Sequence, residues 1–451
     1  MSLLGTTNAF GKDVWLPGAT KQYEGALGKT FEIIDAAPDW RVEGRNIFGK
    51  ITVGDSLGQG VTPEGGDFPE AKDPSYDEFK LAMSRLSHTI QLTFDEWEMV
   101  NSNDAAAVPV VQEKISQGVD KILRDTIRQM YGDGSAKLAR CAATSASTTV
   151  NLQSSNGDSG SANQYDRDRF NWLAPNRAYI DIVDATTGNP ITNGSGRKVV
   201  NTSESGNTIT LDSAGGNVTT TTSHVIVWHD SVAGGGTYAS REFAGILAAI
   251  DDDNTYLNID RMASGKSMWK STVITGATAG TNELPSLDRI LKLVNTMAKN
   301  SSDGKQPGPQ THVACSNYGV QASILSYVAP GMRFTPAMGA FDVAPAQGFQ
   351  DGAIPLLNMP YWTDVHAPHN NLFLFDKTPD NSFRFVRAKR ALWGMLDFMP
   401  GTIQGIWLPK PGASAGRWAA AAVAILTGLV GLMTAKPNAH GRLDDITELG
   451  V

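Results

Sequence analysis

The residues best equipped for chemistry are the acid run Asp251–Asp260, the "GDG" turn at 132–134, the pair His366 and His369, and the basic stretch Phe383–Arg390. "DDDNTYLNID" has the carboxylate density of a calcium loop. An EF-hand loop needs Gly at its sixth position and Glu at its twelfth. Counted from Asp251 those positions hold Tyr256 and Met262; counted from Asp253 they hold Asn258 and Ser264. Both counts fail, so the run reads as a solvated loop. "GDG" lacks the Lys-Ser/Thr of a phosphate-cradling P-loop and does not follow a strand, so it reads as a helix stop. His366 and His369 flank Pro368 with no Cys and no HExxH pattern beside them, which favours a turn over a zinc site. His88 alternates with apolar residues and reads as a packed surface residue. No GxSxG motif and no Cys/His pairing occurs. The expectation is a chain that is not an enzyme, with no catalytic residue, metal or cofactor.

Arg384, Arg387, Lys389 and Arg390 form the one basic cluster. A nucleic-acid surface usually carries a domain-wide basic excess, whereas this chain has a net charge of -8. The cluster therefore reads as the charged face of a strand that meets acidic neighbours. Cys141 and Cys315 lie far apart and make no disulfide framework, which points to a reducing cytosol. The start, "MSLLGTTNAFGKDVW", has no basic segment followed by a long apolar core, hence no signal peptide. The apolar run Trp418–Met433 is shorter than the ~20 residues a spanning helix needs and contains Gly428 and Gly431. It is expected to be a buried core helix, with no membrane partner.

These residues need elements to hold them. The 451 residues suffice for two or three compact regions. Residues 1–46 read as an extended arm anchored by Phe31, Ile33, Ile34 and Trp40. "IFGKITV" (47–53) reads as a strand. About twenty residues of Gly, Pro and acid come next, too long for a simple core connection. Phe79, Leu81 and Met83 then alternate with polar neighbours, and Leu86, His88, Ile90, Leu92 and Phe94 alternate on the opposite parity. That is a strand with a bulge or bend at Ser84-Arg85. At ~3.3 Å per residue it reaches on the order of 50 Å, so it needs another surface to lie on.

Pro109 suits a first helical turn, and Val111, Ile115, Val119, Ile122, Ile127 and Met130 recur at helical spacing. The helix 109–131 would run ~30 Å. Asp120/Arg124 and Lys121/Asp125 would pair on its wet side, and Gly132 would supply a left-handed cap. Residues 141–165 read as a tract too polar to build a core. Residues 166–230 read as short strands between Gly/Asn/Asp turns. Beyond Ser240, "REFAGILAAI" and "SLDRILKLVNTMAKN" read as helices, and "NLFLFD" and "FRFVRA" as strands. No solenoid repeat is present. An arm, a long acidic-tipped hairpin and a long helix cannot all bury their faces in one copy, which implies symmetric association.

The order of these parts resembles the major capsid proteins of tailed double-stranded DNA bacteriophages with the HK97-type fold, and most closely those of phages of actinobacteria. The stretches that carry the likeness are "APDWRVEGRNIFGKITVGDSLGQGVTPEGGDFPEAKDP" (37–74), "LSHTIQLTFDEWE" (86–98), "YGDGSAKLA" (131–139), "REFAGILAAIDDDNTYLNIDR" (241–261) and "KPNAHGRLDDIT" (436–447). Their order is more specific than any one of them, and 141–230 matches least. The resemblance implies an α+β fold with an N-terminal arm (1–46), an extended hairpin or E-loop (47–85), a peripheral domain (86–140) with spine helix 109–131, a linker and β-rich insertion (141–235), and an axial domain with segments returning to the peripheral sheet (236–451).

The resemblance also implies a role. The chain would assemble with itself into hexamers and pentamers of an icosahedral head in the bacterial host cytoplasm, then reside in the virion capsid. It would enclose double-stranded DNA without sequence specificity. A separate scaffolding protein, a portal and a cement protein would be its further partners. Trp40, Arg41, Glu43, Arg45 and Lys50 would lie near the root of the E-loop at contacts between subunits, and Arg384 and Arg387 at another such contact. Some members crosslink Lys to Asn, and Lys50, Lys72 and Lys80 lie in or beside the hairpin. Two other readings compete. An encapsulin-like compartment shell shares the fold but usually has a shorter chain. A β-rich secreted hydrolase would need two placed carboxylates, and no motif places them.

Overall fold

A computed structural model describes residues 35–36, 46–54, 60–93 (except 63, 65, 69 and 71–72), 118–153 (except 119–120 and 123–124), 173, 178–277 (except 204–206), 282–300, 307–308, 311–333, 359–387 (except 365 and 380), 394–395, 408–411 and 418–449. Of 35–36, 90–93, 328–333, 387, 394–395, 408–411 and 418–428 only the backbone is described. Nearly all of the expected N-terminal arm lies outside these residues, as does the first part of the expected helix 109–131. The architecture is α+β, and the chain divides into two units.

The first unit joins Met1–Ile47, Ala82–Met130 and Arg384–Leu432. Its sheet is built on the sixteen-residue strand Trp418–Met433. Strand Ser84–Thr93 runs antiparallel beside it in unbroken register, from Val430↔Ser84 to Ala421↔Thr93. Leu408–Pro411, Gly394–Met395 and Arg384–Arg387 also pair with it, and Asp35–Ala36 pairs parallel to Arg384–Arg387. This corrects the expected buried helix at 418–433. Periodicity cannot assign an unbroken apolar run, because a central strand and a buried helix look alike in it. The sheet decides, since it pairs this segment with several others, and Gly428 and Gly431 would each weaken a helix by about 1 kcal/mol. Among the described residues no helix is long and apolar enough to cross a membrane.

In this unit the described helical residues 121–122 and 125–130 bury Ile122, Ile127 and Met130. Asp125 does not take Lys121 as expected. Its Oδ1 accepts Arg128 Nη2 at 2.8 Å and its Oδ2 accepts Gln129 Nε2 at 2.8 Å. Arg128 is buried and needs a carboxylate, while Lys121 is exposed and can be hydrated.

The second unit joins Phe48–Leu81, Tyr131–Phe383 and Met433–Val451. The change of parity in the first long strand has a structural counterpart. Strand Ser75–Ala82, with Phe79 and Leu81 buried, ends just before Ser84–Thr93 begins with Leu86 buried. The chain passes from one unit to the other there.

The second unit contains a β-rich region with its own core. Its sheet has the order Lys137–Arg140, His224–Trp228, Tyr179–Asp184, Arg197–Ser203, Thr208–Leu211, Thr149–Asn151. The core residues all fall between Leu138 and Ile226, among them Ile180, Ile182, Val199 and Ile209. Cys141, Val150 and Leu152 belong to it, which corrects the expectation that 141–165 builds no core. Val150 and Leu152 are two apart, so a strand sends both to one face. Three apolar residues in a Ser/Thr background were enough.

A second core in this unit lies on the sheet Thr272–Ile274, Gly441–Leu443, Leu372–Asp376, His312–Ser316, Tyr361–Thr363. Helix Leu287–Asn300 covers it with Ile290, Leu293, Val294 and Met297, and helix Tyr318–Arg333 adds Val320 and Ile324. Asp288 in the first turn and Lys299 in the last complement the dipole of the former helix. "REFAGILAAI" is helical only over Ile246–Ala249. Gly245 is the N-cap of that turn, and Phe243 ahead of it is buried outside the helix.

Candidate functional site

The candidate site is a hairpin and the cradle that holds it. Among the described residues, strands Asn46–Gly54 and Ser75–Ala82 pair only with each other. At the base of the second strand, Phe79 packs against the backbone of Gly49 on one side. A Cβ at position 49 would fall 2.2 Å from Phe79 Cζ. Glycine within a strand marks such a close approach. Phe79 also stacks on Trp269, with ring centroids 6.1 Å apart and planes 25° apart. Trp269 contacts Tyr256 at 6.3 Å and donates Nε1–H to the Tyr256 carbonyl at 3.2 Å. The Tyr256 hydroxyl in turn accepts the N–H of Thr434 at 3.2 Å. The three aromatic side chains, Phe79, Trp269 and Tyr256, are all buried.

The cradle is the acid run together with the segment from Arg261 to Trp269. Thr255–Tyr256 and Ile259–Asp260 pair across a two-residue turn, with Leu257 at φ 50° and Asn258 at φ 69°. Two left-handed residues are what a type I′ hairpin turn requires. The Leu257 carbonyl accepts the N–H of Lys80 at 2.9 Å, and Lys266 Nζ lies 2.5 Å from Asp77 Oδ2. The Lys266 ammonium, with the Glu78 N–H, holds the Asp77 carboxyl below its usual range. Asp251 is buried and engaged within the chain. Its Oδ1 accepts the Asp252 N–H at 2.9 Å and lies 3.6 Å from Arg442 Nη2, while Asn254 donates to Oδ2. Burial, and then the charges of Asp251 and Asp252, push Asp253 up.

Other apolar side chains of the hairpin face solvent. Val61 and Phe68 are almost fully exposed at 101% and 89%, and Phe48 and Tyr76 are more than half exposed. Glu64, Asp67, Glu70 and Asp73 are exposed around them. Isolated exposed apolar residues are normal, but several on one hairpin among exposed carboxylates have the composition of a protein–protein surface. Burying one such side chain is worth about 1.5–3 kcal/mol.

The sequence-derived site residues fall in different places. Lys50 is exposed on the first hairpin strand. Arg384 and Arg387 share the strand Arg384–Arg387 in the other unit, and Arg384 is half-buried. Trp40, Arg41, Glu43 and Arg45 lie outside the described residues. Sequence reasoning missed the contacts of Gly49, Phe79, Leu257, Lys266 and Trp269. A glycine inside the strand pattern "IFGKITV" is the one signal that could have pointed to them.

The "GDG" turn is a local stop. The helix ends at Tyr131, whose hydroxyl donates to Asp364 Oδ2 at 3.1 Å. Asp133 Oδ1 accepts the Ser135 N–H at 2.8 Å and the Ser135 hydroxyl at 2.6 Å. The left-handed glycine is Gly134, at φ 78°, and not Gly132 as expected. The Asp133 side chain makes the turn and places the positive φ one residue beyond itself. A side chain at Gly134 would also meet Ala244 Cα at 3.1 Å.

His366 and His369 lie in the turn before strand Leu372–Asp376. His369 Nδ1 is 2.7 Å from Glu448 Oε2, and Asn370 N–H donates to Glu448 Oε1 at 2.7 Å. Burial raises the Glu448 carboxyl, but the His369 and Asn370 contacts outweigh it and hold the group below its usual range. His369 and Asn370 therefore tie this turn to the C-terminal segment through Glu448.

No family model matches the chain, and no curated protein matches it. Several solved structures are similar to it over most of its length. A chain from the capsid asymmetric unit of cyanophage A-1(L) is 12% identical with a TM-score of 0.47, covering 90% of each chain. A chain from the capsid of a native GTA particle is 10% identical with a TM-score of 0.43, covering 93% of this chain and 91% of its own. A chain of Mycobacterium phage Patience is 8% identical with a TM-score of 0.39, covering 98% of this chain and 89% of its own.

Proposed function

We propose that this chain is the major shell protein of a tailed-phage head with the HK97-type architecture. The observation that carries the reading is the hairpin: a two-stranded arm held at Phe79, with Val61, Phe68 and Tyr76 exposed beyond that clamp and Phe48 exposed beside it. In this reading it is the E-loop, and it lies across a neighbouring copy that buries those side chains. The unit containing Ser84–Thr93 and Trp418–Met433 is the peripheral domain, and the helix ending at Tyr131 is its spine. The five-stranded sheet with its two helices is the axial domain, and the β-rich region is an insertion.

Copies associate in rings of six and five that close an icosahedral shell around double-stranded DNA, without reading its sequence. The head assembles in the host cytoplasm with a scaffolding protein and a portal, and accepts a decoration protein. Trp40, Arg41, Glu43, Arg45 and Lys50 serve contacts at the hairpin root, and Arg384 and Arg387 serve another subunit contact. Exposed pairs of this kind contribute at most ~1 kcal/mol each, so the apolar contacts of the hairpin dominate.

The test is size and image together. The chain, expressed alone and with its genomic neighbours, is observed by light scattering and negative-stain microscopy. Closed shells or rings of five and six are expected. Val61→Asp with Phe68→Asp should abolish them while leaving the melting temperature of the subunit unchanged. A monodisperse species of the chain's own mass under both conditions would overturn the reading, as would shells that tolerate both aspartates.

A further inference from the structure

The β-rich region carries a cleft of about 560 Å³ that the shell role does not use. It lies where strand Tyr179–Asp184 ends and strand His224–Trp228 begins. Asp184, Asn189, Ile191, Thr192, Asn217 and His224 line it. The surrounding bonds fix several of these side chains in place. Asp184 Oδ1 accepts the N–H groups of Thr186 and Thr187 at 2.7 and 3.2 Å. These two bonds hold the carboxyl below its usual range, so it is ionised at neutral pH and acts as an acceptor. Asn189 Oδ1 accepts the Gly235 N–H at 2.8 Å, which leaves its Nδ2 as a donor. His224 Nδ1 accepts the Thr221 N–H at 3.1 Å, so its Nε2 carries the proton and also donates. The side chains of Thr192 and Asn217 make no hydrogen bond to another described residue.

The lining thus offers one oriented acceptor, Asp184, two oriented donors, Asn189 and His224, and the uncommitted side chains of Thr192 and Asn217, around a space large enough for a small ligand. No lysine or arginine among the described residues lines it, which disfavours phosphate or another anion. One carboxylate is too few to hold a divalent cation against water. Pro190 and Ile191 supply its apolar lining, too little for an acyl chain or an aromatic ring. Neutral vicinal hydroxyls, each both donor and acceptor, match the set. We infer that this cleft binds an uncharged saccharide, through the Asp184 carboxylate, the Asn189, Asn217 and Thr192 side chains and His224 Nε2.

The test is saturation-transfer difference NMR on the full chain in its assembled form. The probes are maltose, cellobiose, trehalose, lactose and methyl mannoside at millimolar concentration. This readout observes the ligand and suits a large particle. At least one probe should show a saturable enhancement. Thr192→Ala with Asn217→Ala should weaken its binding at least about tenfold, the effect of losing one or two net hydrogen bonds. Lys198→Ala, on the same sheet but away from the cleft, should leave it unchanged. No enhancement from any probe would overturn the inference, as would equal enhancement in the Thr192/Asn217 variant. Both variants should still form particles, so failure here is separate from failure of the shell reading.

Discussion

Phe79 occupies the space a side chain at position 49 would need. A Cβ at Gly49 would lie 2.2, 2.5 and 2.9 Å from three carbons of the Phe79 ring. Trp269 stacks on the same ring and restricts its movement. Gly49→Ala should therefore destabilise the hairpin base by about 1–3 kcal/mol, as overpacking does. The expected readout is faster hydrogen exchange in Ser75–Ala82 together with loss of shells. Phe79→Leu added to Gly49→Ala should restore part of both. A Gly49→Ala chain with unchanged exchange would show that the contact is looser than the geometry states.

The side-chain contacts that hold the hairpin, one ionic and one aromatic, differ in size. The Lys266–Asp77 pair is substantially solvent-accessible, so Lys266→Ala should cost no more than ~1 kcal/mol. Trp269 is 3% exposed, so Trp269→Ala should cost about 3–5 kcal/mol. Urea unfolding of the two variants would rank them. The reverse order would mean that charge, and not the aromatic stack, holds the hairpin.

His440 predicts an acid-sensitive fold. It is fully buried, and burial lowers its pKa to about 4. Its Nδ1 accepts the Asp376 N–H at 3.1 Å, so its Nε2 carries the proton and donates to the Asn381 carbonyl at 2.9 Å. The unfolded group titrates near 6.5. Between pH 6.5 and 4 the unfolded chain binds the extra proton, so this contribution is complete above 6.5 and is lost as pH falls towards 4. The loss is of order 3 kcal/mol. Asp444 works in the opposite direction. Burial pushes it up to about 6, so its contribution falls as pH rises from 3.8 to 6. Comparing the pH dependence of urea midpoints in the native chain and His440→Gln isolates the histidine. The variant should lose the part of the acid slope that lies between 6.5 and 4.

Strand Trp418–Met433 predicts a position-dependent failure. Ile425 pairs with Thr89 in the unbroken ladder. Proline has no N–H to give a ladder and is confined to sheet edges and bulges. Ile425→Pro should leave the chain insoluble. Ile425→Val, which keeps β-branching and the backbone N–H, should be tolerated. Soluble yield and circular dichroism would distinguish the two.

Much of the local structure was legible because it obeyed simple periods. Phe79, Leu81 and Leu86 declared their strands by alternation, including the switch of parity. Ile290, Leu293, Val294 and Met297 declared their helix by spacing. Arg384 and Arg387 share a strand, as the pattern of "FRFVRA" implies. Trp418–Met433 was not legible, since an almost wholly apolar run has no period to read. Val150 and Leu152 were hidden by their Ser/Thr neighbours, although two apolar residues on one strand face suffice for a small core. The cradle was the least visible part. Leu257 at φ 50° breaks the usual preference of that turn for Gly and Asn. The pairing of Phe79 with Trp269 spans nearly two hundred residues that give no sequence signal of it.

The β-rich region enters along Lys137–Arg140 and leaves along His224–Trp228, and these strands are antiparallel neighbours with Lys137 opposite Val227. The two ends of some ninety residues therefore stand about 5 Å apart, and the main core between them is drawn from that stretch, with Trp228 packed at its edge, while Val232 and Tyr238 pack on a smaller cluster of Val183, Val225 and Val227. A short turn could close the gap, or a foreign folded sequence could be spliced across it, and the remaining chain would have to adjust chiefly at Val232 and Tyr238, which pack on Val183, Val225 and Val227. An engineer could use the same seam to attach a cargo.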